Sequence, residues 1–491
     1  MNLGDTIRSG VRWTMVGKFG HQILGFLFGI VLARLLAPAD FGMLVTVQIF
    51  TGIAGFVAGG GMGQALVRAK EVTKSDYDTV FTLQLGIGCL IYIVFFFAAP
   101  GLATWYDTPA YETLLRISAL SFILRPFNNL PGNILHRDMR FKAQAFVGIT
   151  TLIVTNSVSI ALAWLGYGVW SLILSGFVGS LVGIFLQAHL AGWRPGFRLD
   201  WQRGRDLARY GFLVSANDIV VYLRRQTSNF IIGRFIGPAA VGLYNKASSL
   251  NDMPSGTISN SAYGVVFRAL ARTQDNRDRS KYIYLRTITL VTVYTLPFYV
   301  GLWWVAELFI TTVYGQKWAG AAPVLEILAL AGLFMCINNQ SGAVTAARQL
   351  LGPELVVQLV GWALLIVGVA IGYRWGISGV AWAMVVVSAI MAGLMARLAS
   401  RELRVGIREF GRALQPALLL NTILFIGLFA LHTWVLAPFK PVQPALYLIA
   451  MATVGGLLYT ICFLYLPIQQ LTKEAMRWKT RLMLPTRSVK P

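Results

Sequence analysis

Apolar runs of about 20 residues, interrupted by short polar loops, recur along almost the whole chain. At about 1.5 Å of rise per residue, each is long enough to cross a hydrocarbon core roughly 30 Å thick. The pattern predicts about fourteen transmembrane helices, at roughly 14–36, 41–65, 79–100, 112–132, 144–165, 168–190, 211–235, 240–264, 283–305, 323–346, 355–373, 377–396, 413–434 and 444–466. Transmembrane β-strands would instead show alternating segments of about ten residues. The expected fold class is an all-α polytopic membrane protein.

Composition agrees with this pattern. The 491 residues are 56% hydrophobic and only 13% charged, against about 25% charge in soluble domains. Arg8 and Arg12 precede the first apolar run as in a signal peptide, but the run is too long and a second follows at once, so an uncleaved first helix is expected. Cys89, Cys336 and Cys462 all fall inside apolar spans without metal-ligand spacing, which argues against a disulfide framework or a metal site.

Charge sets the expected orientation. Lys and Arg number 42 against 20 acids, a net charge of +22, spread over alternate loops rather than gathered as in a nucleic-acid-binding segment. Arg68, Lys70 and Lys74; Arg137, Arg140 and Lys142; Arg194 to Arg209; Arg268 to Lys281; Arg401 to Arg412; and the tail from Lys473 to Lys490 fall on one side. Lys317 and Lys440 are the clear cases on the other. By the positive-inside rule both termini are cytoplasmic, and the basic loops need no ligand beyond anionic lipid headgroups.

The chain also repeats itself. "ARLLAPADFGML" (33–44) returns as "GRFIGPAAVGLY" (233–244), matching Arg34, Pro38, Ala39 and Gly42 with Arg234, Pro238, Ala239 and Gly242. "FNNLPGN" at 127 returns as "INNQSGA" at 337, and "GVW" at 168 as "GVAW" at 379. Three echoes in one order indicate a duplicated six-helix unit. The expected organisation is an N-terminal six-helix bundle (1–191), an interfacial cytoplasmic linker (192–210), a C-terminal six-helix bundle (211–400), two extra helices (401–466) and a basic cytoplasmic tail (467–491). The bundles are expected to be pseudo-symmetric about an axis along the membrane normal, around a central cavity. The segment "KEAMRWKTRLML" near the C-terminus reads as an interfacial anchor.

Polar residues deep in a span are costly and usually face a bundle interior. Arg224 and Arg225 lie about nine residues or more from either end of their span, too far for easy snorkelling. Ser215, Asp218, Tyr222, Arg225 and Asn229 recur in steps of three and four and share a helical face, with Asn217, Arg224 and Ser228 beside it. In the first span Lys18, His21 and Gln22 form a similar face, and the 200-residue offset aligns Lys18 with Asp218. Arg125, Lys246 and Arg286 also lie inside their spans, where snorkelling and cavity lining are both open. Asn128, Asn129, Asn338, Asn339 and Gln340 either line the same space or bond between helices. The candidate cavity residues are Lys18, His21, Gln22, Arg125, Asp218, Tyr222, Arg224, Arg225, Asn229, Lys246, Asn338 and Gln340. Their cationic excess favours an anionic passenger.

The motifs "ARLLAPADFG", "ILHRDMRFK", "GYGVWSL", "IIGRFIGPAAVGLYNKA" and "VYGQKWAGAAPVLEILALAGL" together resemble the polysaccharide transporter family. Its members are the Wzx-type lipid-linked oligosaccharide flippases of the multidrug/oligosaccharidyl-lipid/polysaccharide superfamily, and the likeness is to the colanic- and teichuronic-acid exporter branch. The resemblance covers nearly the whole chain and implies a bacterial cytoplasmic-membrane protein that moves an undecaprenyl-diphosphate-linked repeat unit outward for polymerisation. A polysaccharide polymerase and a chain-length regulator are the partners it suggests. Two positions depart from it: Ser228 where many relatives look acidic, and Arg268 where many carry proline. The first puts in doubt ion coupling at that position, and the second adds positive charge at a helix end.

Three rivals remain. A drug/cation antiporter of the same superfamily calls for an acidic cavity. A membrane enzyme such as a polysaccharide polymerase or acyltransferase calls for a catalytic cluster, yet His21, His136, His189 and His432 lie far apart and no nucleophile or metal motif is found. A non-transporting scaffold has no use for the polar helix faces. The expectation is a transporter without covalent catalysis and without a cofactor. No ATP-binding motif is found, and coupling to a proton or sodium gradient is left open.

Overall fold

The computed structural model describes residues 3–484 apart from Gly60, Lys70 and 437–442, and within helices omits the side chains of 3–11, Val16, Gln64, Arg68, Arg203 and 206–217. The expectations placed on Lys70, Lys440, the chain beyond Leu484, and the side chains of Arg8, Arg68, Arg203, Arg209, Ser215 and Asn217 fall outside those residues. No strand occurs among the described residues. The chain divides into two compact units, Met1–Leu243 and Tyr244–Pro491.

The first unit is built from α1 (Leu3–Leu35), α2 (Pro38–Gly59), α3 (Met62–Arg68), α4 (Lys74–Trp105), α5 (Ala110–Ala119), α6 (Ser121–Arg137), α7 (Phe141–Trp164), α8 (Val169–Ala191) and α9 (Trp201–Phe235). The division falls inside α10 (Pro238–Pro254), not at the expected linker 192–210. A π-helical turn (Ser255–Ser259) then leads to α11 (Asn260–Ala271) and α12 (Arg277–Phe309). There follow α13 (Ala322–Ala329), α14 (Gly332–Ala347), α15 (Leu351–Gly372), α16 (Gly376–Leu403), α17 (Ile407–Leu431), α18 (Pro444–Tyr465) and α19 (Thr472–Arg481).

Nine helical segments among the described residues are long and apolar enough to cross a membrane, or ten if α13 and α14, bent by 51°, count as one span. Leu351–Leu403 is counted once there but contains both α15 and α16. The expected spans 112–132, 211–235 and 240–264 are not among them. They correspond to α5 with α6, to α9, and to α10 with the turn after it, and they carry Arg125, Arg224, Arg225 and Lys246.

The linker differs from expectation as well. Residues 193–200 are not helical and fold back on α4, where Trp193 and Phe197 set their rings edge-on to Phe81 at 5.4 and 5.6 Å. The Asp200 N–H donates to the Thr79 hydroxyl at 3.2 Å. From Trp201 onward the chain is already α9, which packs along α2, α3 and α4 within the first unit. Trp193 is half-buried there, while Phe197 touches Phe81 with one edge and stays 75% exposed. The C-terminal anchor is likewise docked on protein. Trp478 of α19 donates its indole N–H to the Tyr294 hydroxyl at 2.9 Å, and Glu474 pairs with Arg286 at 3.6 Å. Arg286, read as a snorkelling or cavity residue, is held there.

The duplication is written into the backbone. Non-helical left-handed positions recur in order about 210 residues apart: Asp107 with Gly315, Met139 with Gln349, Gly166 with Gly376, and Gly192 with Arg404 all have positive φ. Met139 and Gln349 accept that strain although neither is glycine. The helix break between α5 and α6 likewise matches the break between α13 and α14. Just before each left-handed turn an arginine ties the end of its helix to a neighbouring loop. Arg137 donates to the carbonyls of Leu66 and Ala69 at 2.6 and 2.7 Å, and Arg348 donates to the carbonyl of Gln274.

The repeated turn has its own explanation. A Cβ on Gly42 would overlap the Pro238 carbonyl, and a Cβ on Gly242 would overlap the Pro38 carbonyl. The two turns lie against each other reciprocally, each glycine admitting the other turn's proline carbonyl. Such a self-complementary contact requires the same small residue at the same place in both copies.

Candidate functional site

The candidate residues gather most closely around α2. That helix reads "QIFTGIAGFVAG", with Gly52 and Gly55 three apart on one face. The missing side chains leave room for two long polar ones. A Cβ on Gly52 would overlap the Tyr222 hydroxyl from α9, and a Cβ on Gly55 would overlap the Arg125 guanidinium from α6. Tyr222 donates to the Gln48 carbonyl at 2.5 Å and sets its ring edge-on to Phe56 at 5.6 Å. Arg125 remains exposed and has no carboxylate partner among the described residues. Gln48, Gly52, Gly55 and Phe56 were not among the expected site residues, although the Gly-x-x-Gly spacing was in plain view.

On α9, Arg225 is exposed and Arg224 half-buried, while Asp218 is half-buried. Neither Arg225 nor Asp218 has an ion-pair partner among the described residues. Asn229 is buried and donates to the Gln226 side-chain oxygen at 2.9 Å, so it braces the helix instead of facing open space. Ser228 is buried too. At the end of α9, Arg234 pairs with Asp107 at 3.6 Å and lies over Trp105 at 5.3 Å.

Lys18, His21 and Gln22 on α1 are exposed and make no hydrogen bond or ion pair among the described residues. Gly25 and Gly29 continue that face, and a Cβ on either would meet open space. The polar stripe of α1 thus stands uncovered within its unit, whose contacts with α1 come chiefly from α7.

In the second unit several expected cavity residues turn out to be internal. Gln340 is 0% exposed and donates to both the carbonyl and the hydroxyl of Ser259, at 3.0 and 3.1 Å. Ser259 closes the π-helical turn, where wide hydrogen-bond spacing frees a carbonyl, and Gln340 satisfies it. The cavity-lining reading of Gln340 is therefore replaced by interhelical bonding. Asn339 joins it, donating to the Ser259 hydroxyl and the Asn260 side chain, each at 2.9 Å. Asn338 is half-buried, with a side-chain oxygen that finds no partner. Lys246 lies over the rings of Tyr314 at 4.5 Å and Trp318 at 5.2 Å, a cation–π cradle rather than an open wall. In the first unit Asn128 also bonds between helices, accepting from Gln187 of α8.

The arrangement defines an all-α, multi-pass membrane protein whose first unit holds guanidinium groups on α6 and α9. Residues 31–323 match the family model described as polysaccharide biosynthesis protein, and the chain belongs to that family. It is 28% identical over 325 residues to the succinoglycan biosynthesis transport protein ExoT of Rhizobium meliloti, a match covering 66% of each chain, about two thirds of ExoT's length. It is 22% identical to the lipopolysaccharide biosynthesis protein WzxC of Escherichia coli over 71% of each chain. Among solved structures it is similar to the lipid II flippase MurJ in an inward closed conformation, with a TM-score of 0.73 at 15% identity over 96% of this chain and 100% of that one. That last likeness establishes the fold.

Proposed function

We propose that the protein translocates a lipid-linked oligosaccharide with an anionic diphosphate headgroup across the bacterial cytoplasmic membrane, for polysaccharide assembly outside. The observation that carries this reading is Arg125, an exposed guanidinium without a carboxylate partner, seated against the glycine face of α2 in a family of polysaccharide biosynthesis proteins. Diphosphate carries about two negative charges, and its passage through bare hydrocarbon is prohibitive unless hydrogen-bond donors replace water. Guanidinium forks pair with phosphate oxygens bidentately, which an ammonium cannot do. Arg125 and Arg225 supply those forks, Arg224 adds charge beside them, and Lys18, His21 and Gln22 offer further donors on α1.

No covalent step is needed. The headgroup turns inside the protein while the lipid tail stays in the bilayer, and alternating access moves it from one face to the other. A cationic antiporter substrate is disfavoured by the same guanidinium groups. In cells lacking the protein, the lipid-linked intermediate accumulates on the inner leaflet; wild type clears it, and Arg225→Ala inserts normally without clearing it. Clearance by Arg225→Ala at wild-type rate per folded molecule would sink the assignment.

Both termini and the loop 272–276 are proposed to be cytoplasmic. In a Cys89→Ala background, a membrane-impermeant maleimide added outside labels a cysteine at Gln316 and misses one at Gln274. The reverse pattern would overturn the orientation.

A further inference from the structure

A large cavity in the second unit belongs to none of the groups discussed so far. It has a volume of about 620 Å³, and its walls include Glu307, Thr311, Gln316 and Glu326. A smaller recess of about 190 Å³ shares Glu307, Leu308 and Glu326 with it and is backed by Trp303, Trp304 and His432. The larger volume lies in the range of small-molecule sites, about 300–1,000 Å³.

Local sequence explains why the cavity forms. At the end of α12 the chain passes through a π-helical turn (Ile310–Tyr314), Gly315 at φ 102°, and a 3-10 turn (Gln316–Ala321) before α13 begins. The gap lined by Glu307 and Glu326 opens at this irregular corner. Behind the gap, Trp304 packs against Phe425 at 5.3 Å and His432 at 5.9 Å, and His432 meets the Tyr447 hydroxyl at 3.0 Å. The Trp304 indole N–H is buried and has no hydrogen-bond partner. That N–H has no exposed surface, so it offers no bond to a ligand in the recess.

We infer that this cavity is a carbohydrate-binding site. Cavity and recess together combine acceptors (the Glu307 and Glu326 carboxylates), mixed groups (Gln316 and Thr311) and, in the recess, the aromatic surface of Trp303 and Trp304. A sugar needs that combination, since each hydroxyl both donates and accepts while the ring's C–H faces are apolar. A cation needs acceptors alone. A divalent metal is further disfavoured because no group of three His, Cys, Asp or Glu side chains among the described residues is placed to hold one.

Position assigns the site a step. Glu307 lies 21 residues beyond Arg286 on α12, about 30 Å along the axis, which is the thickness of the hydrocarbon core. It therefore sits at the opposite membrane face from the basic loop before α12. On the proposed function, which this inference uses only to identify the ligand, it receives the glycan of the passenger on the outer side.

The test uses the full-length protein in nanodiscs and a panel of lipid-free gluco-, galacto- and uronate-containing trisaccharides, read by saturation-transfer NMR and calorimetry. Saturable binding of at least one trisaccharide is expected, weakened at least tenfold by Glu326→Gln and by Gln316→Ala. Melting temperatures check that both variants fold. Arg225→Ala binds the same trisaccharide as wild type, so loss of export there with retained sugar binding separates the two proposals. Absence of binding across the panel overturns the inference, as does binding indifferent to both variants. Preferential binding of tetraphenylphosphonium, competing at Glu326, replaces the sugar site with an organic-cation site.

Discussion

Arg125 on α6 and Met335 on α14 occupy the same place in the two copies of the repeat. Each follows a helix break, each stands three residues before an Asn-Asn pair, and each helix ends in a left-handed residue, Met139 or Gln349. Their surroundings differ. Arg125 reaches the glycine face of α2 and stays exposed, whereas the Met335 sulfur receives the Asn251 amide at 3.7 Å and the neighbouring Gln340 is sealed against Ser259. Duplication has preserved the turns and breaks that build the fold while letting chemistry diverge: one copy presents charge, and the other spends its polar groups on internal bonds.

The sharpest way to break this comparison is to write one copy's residue into the other. Arg125→Met should lower export per folded molecule by about thirtyfold or more, the cost of removing one partner of a charge-assisted pair. Arg125→Lys should recover part of it, and Met335→Leu should leave export within about twofold. Precursor accumulation, normalised to folded protein, measures all three. Equal losses from Arg125→Met and Met335→Leu would mean that both positions only pack.

Gly42→Ala and Gly242→Ala test what the copies share. Either methyl meets a backbone carbonyl that cannot rotate away, so each should destabilise by about 1–3 kcal/mol, with the double variant less than additive because the two sites share one contact. Gly25→Ala, which faces open space, is the control. Melting curves in detergent decide, and a silent Gly242→Ala would contradict the reciprocal contact.

Gln340→Leu should cost roughly 1–3 kcal/mol by orphaning the Ser259 carbonyl, with export per folded molecule unchanged. A loss of transport at full stability would restore Gln340 to the cavity. The smallest effect is expected at the matched turns, where Met139→Gly and Gln349→Gly should each stabilise by up to about 1 kcal/mol as left-handed strain is relieved. Opposite signs at the two sites would mean that the turns are alike in backbone but not in strain.

Much of this molecule could be read in one dimension. Helix 277–309 and helix 351–372 follow directly from their apolar runs, and the duplication was visible in Pro38, Gly42, Asn128 and their partners. What misled the reading was proximity of a different kind. Gln340 looks like a cavity residue because it stands beside Asn338 and Asn339, yet a π-helical turn 80 residues earlier supplies its partner. Lys246 looks like a buried charge, and two rings from a distant corner make it a cradle. Segment 192–210 reads as one linker, yet its second half is already α9 from Trp201 onward, packed along α2, α3 and α4.

The sequence alone determined that this chain crosses a membrane as helices and that its turns are written twice. These are consequences of hydrocarbon thickness, of backbone groups that must be satisfied within a segment, and of turn chemistry that depends on few neighbours. Only the tertiary structure decided which polar side chains remain exposed and which are consumed in packing. That choice depends on where a carbonyl is freed, as at Ser259, or a side chain is missing, as at Gly52 and Gly55, on a helix far away in sequence. No local pattern encodes such a vacancy until the helices are packed.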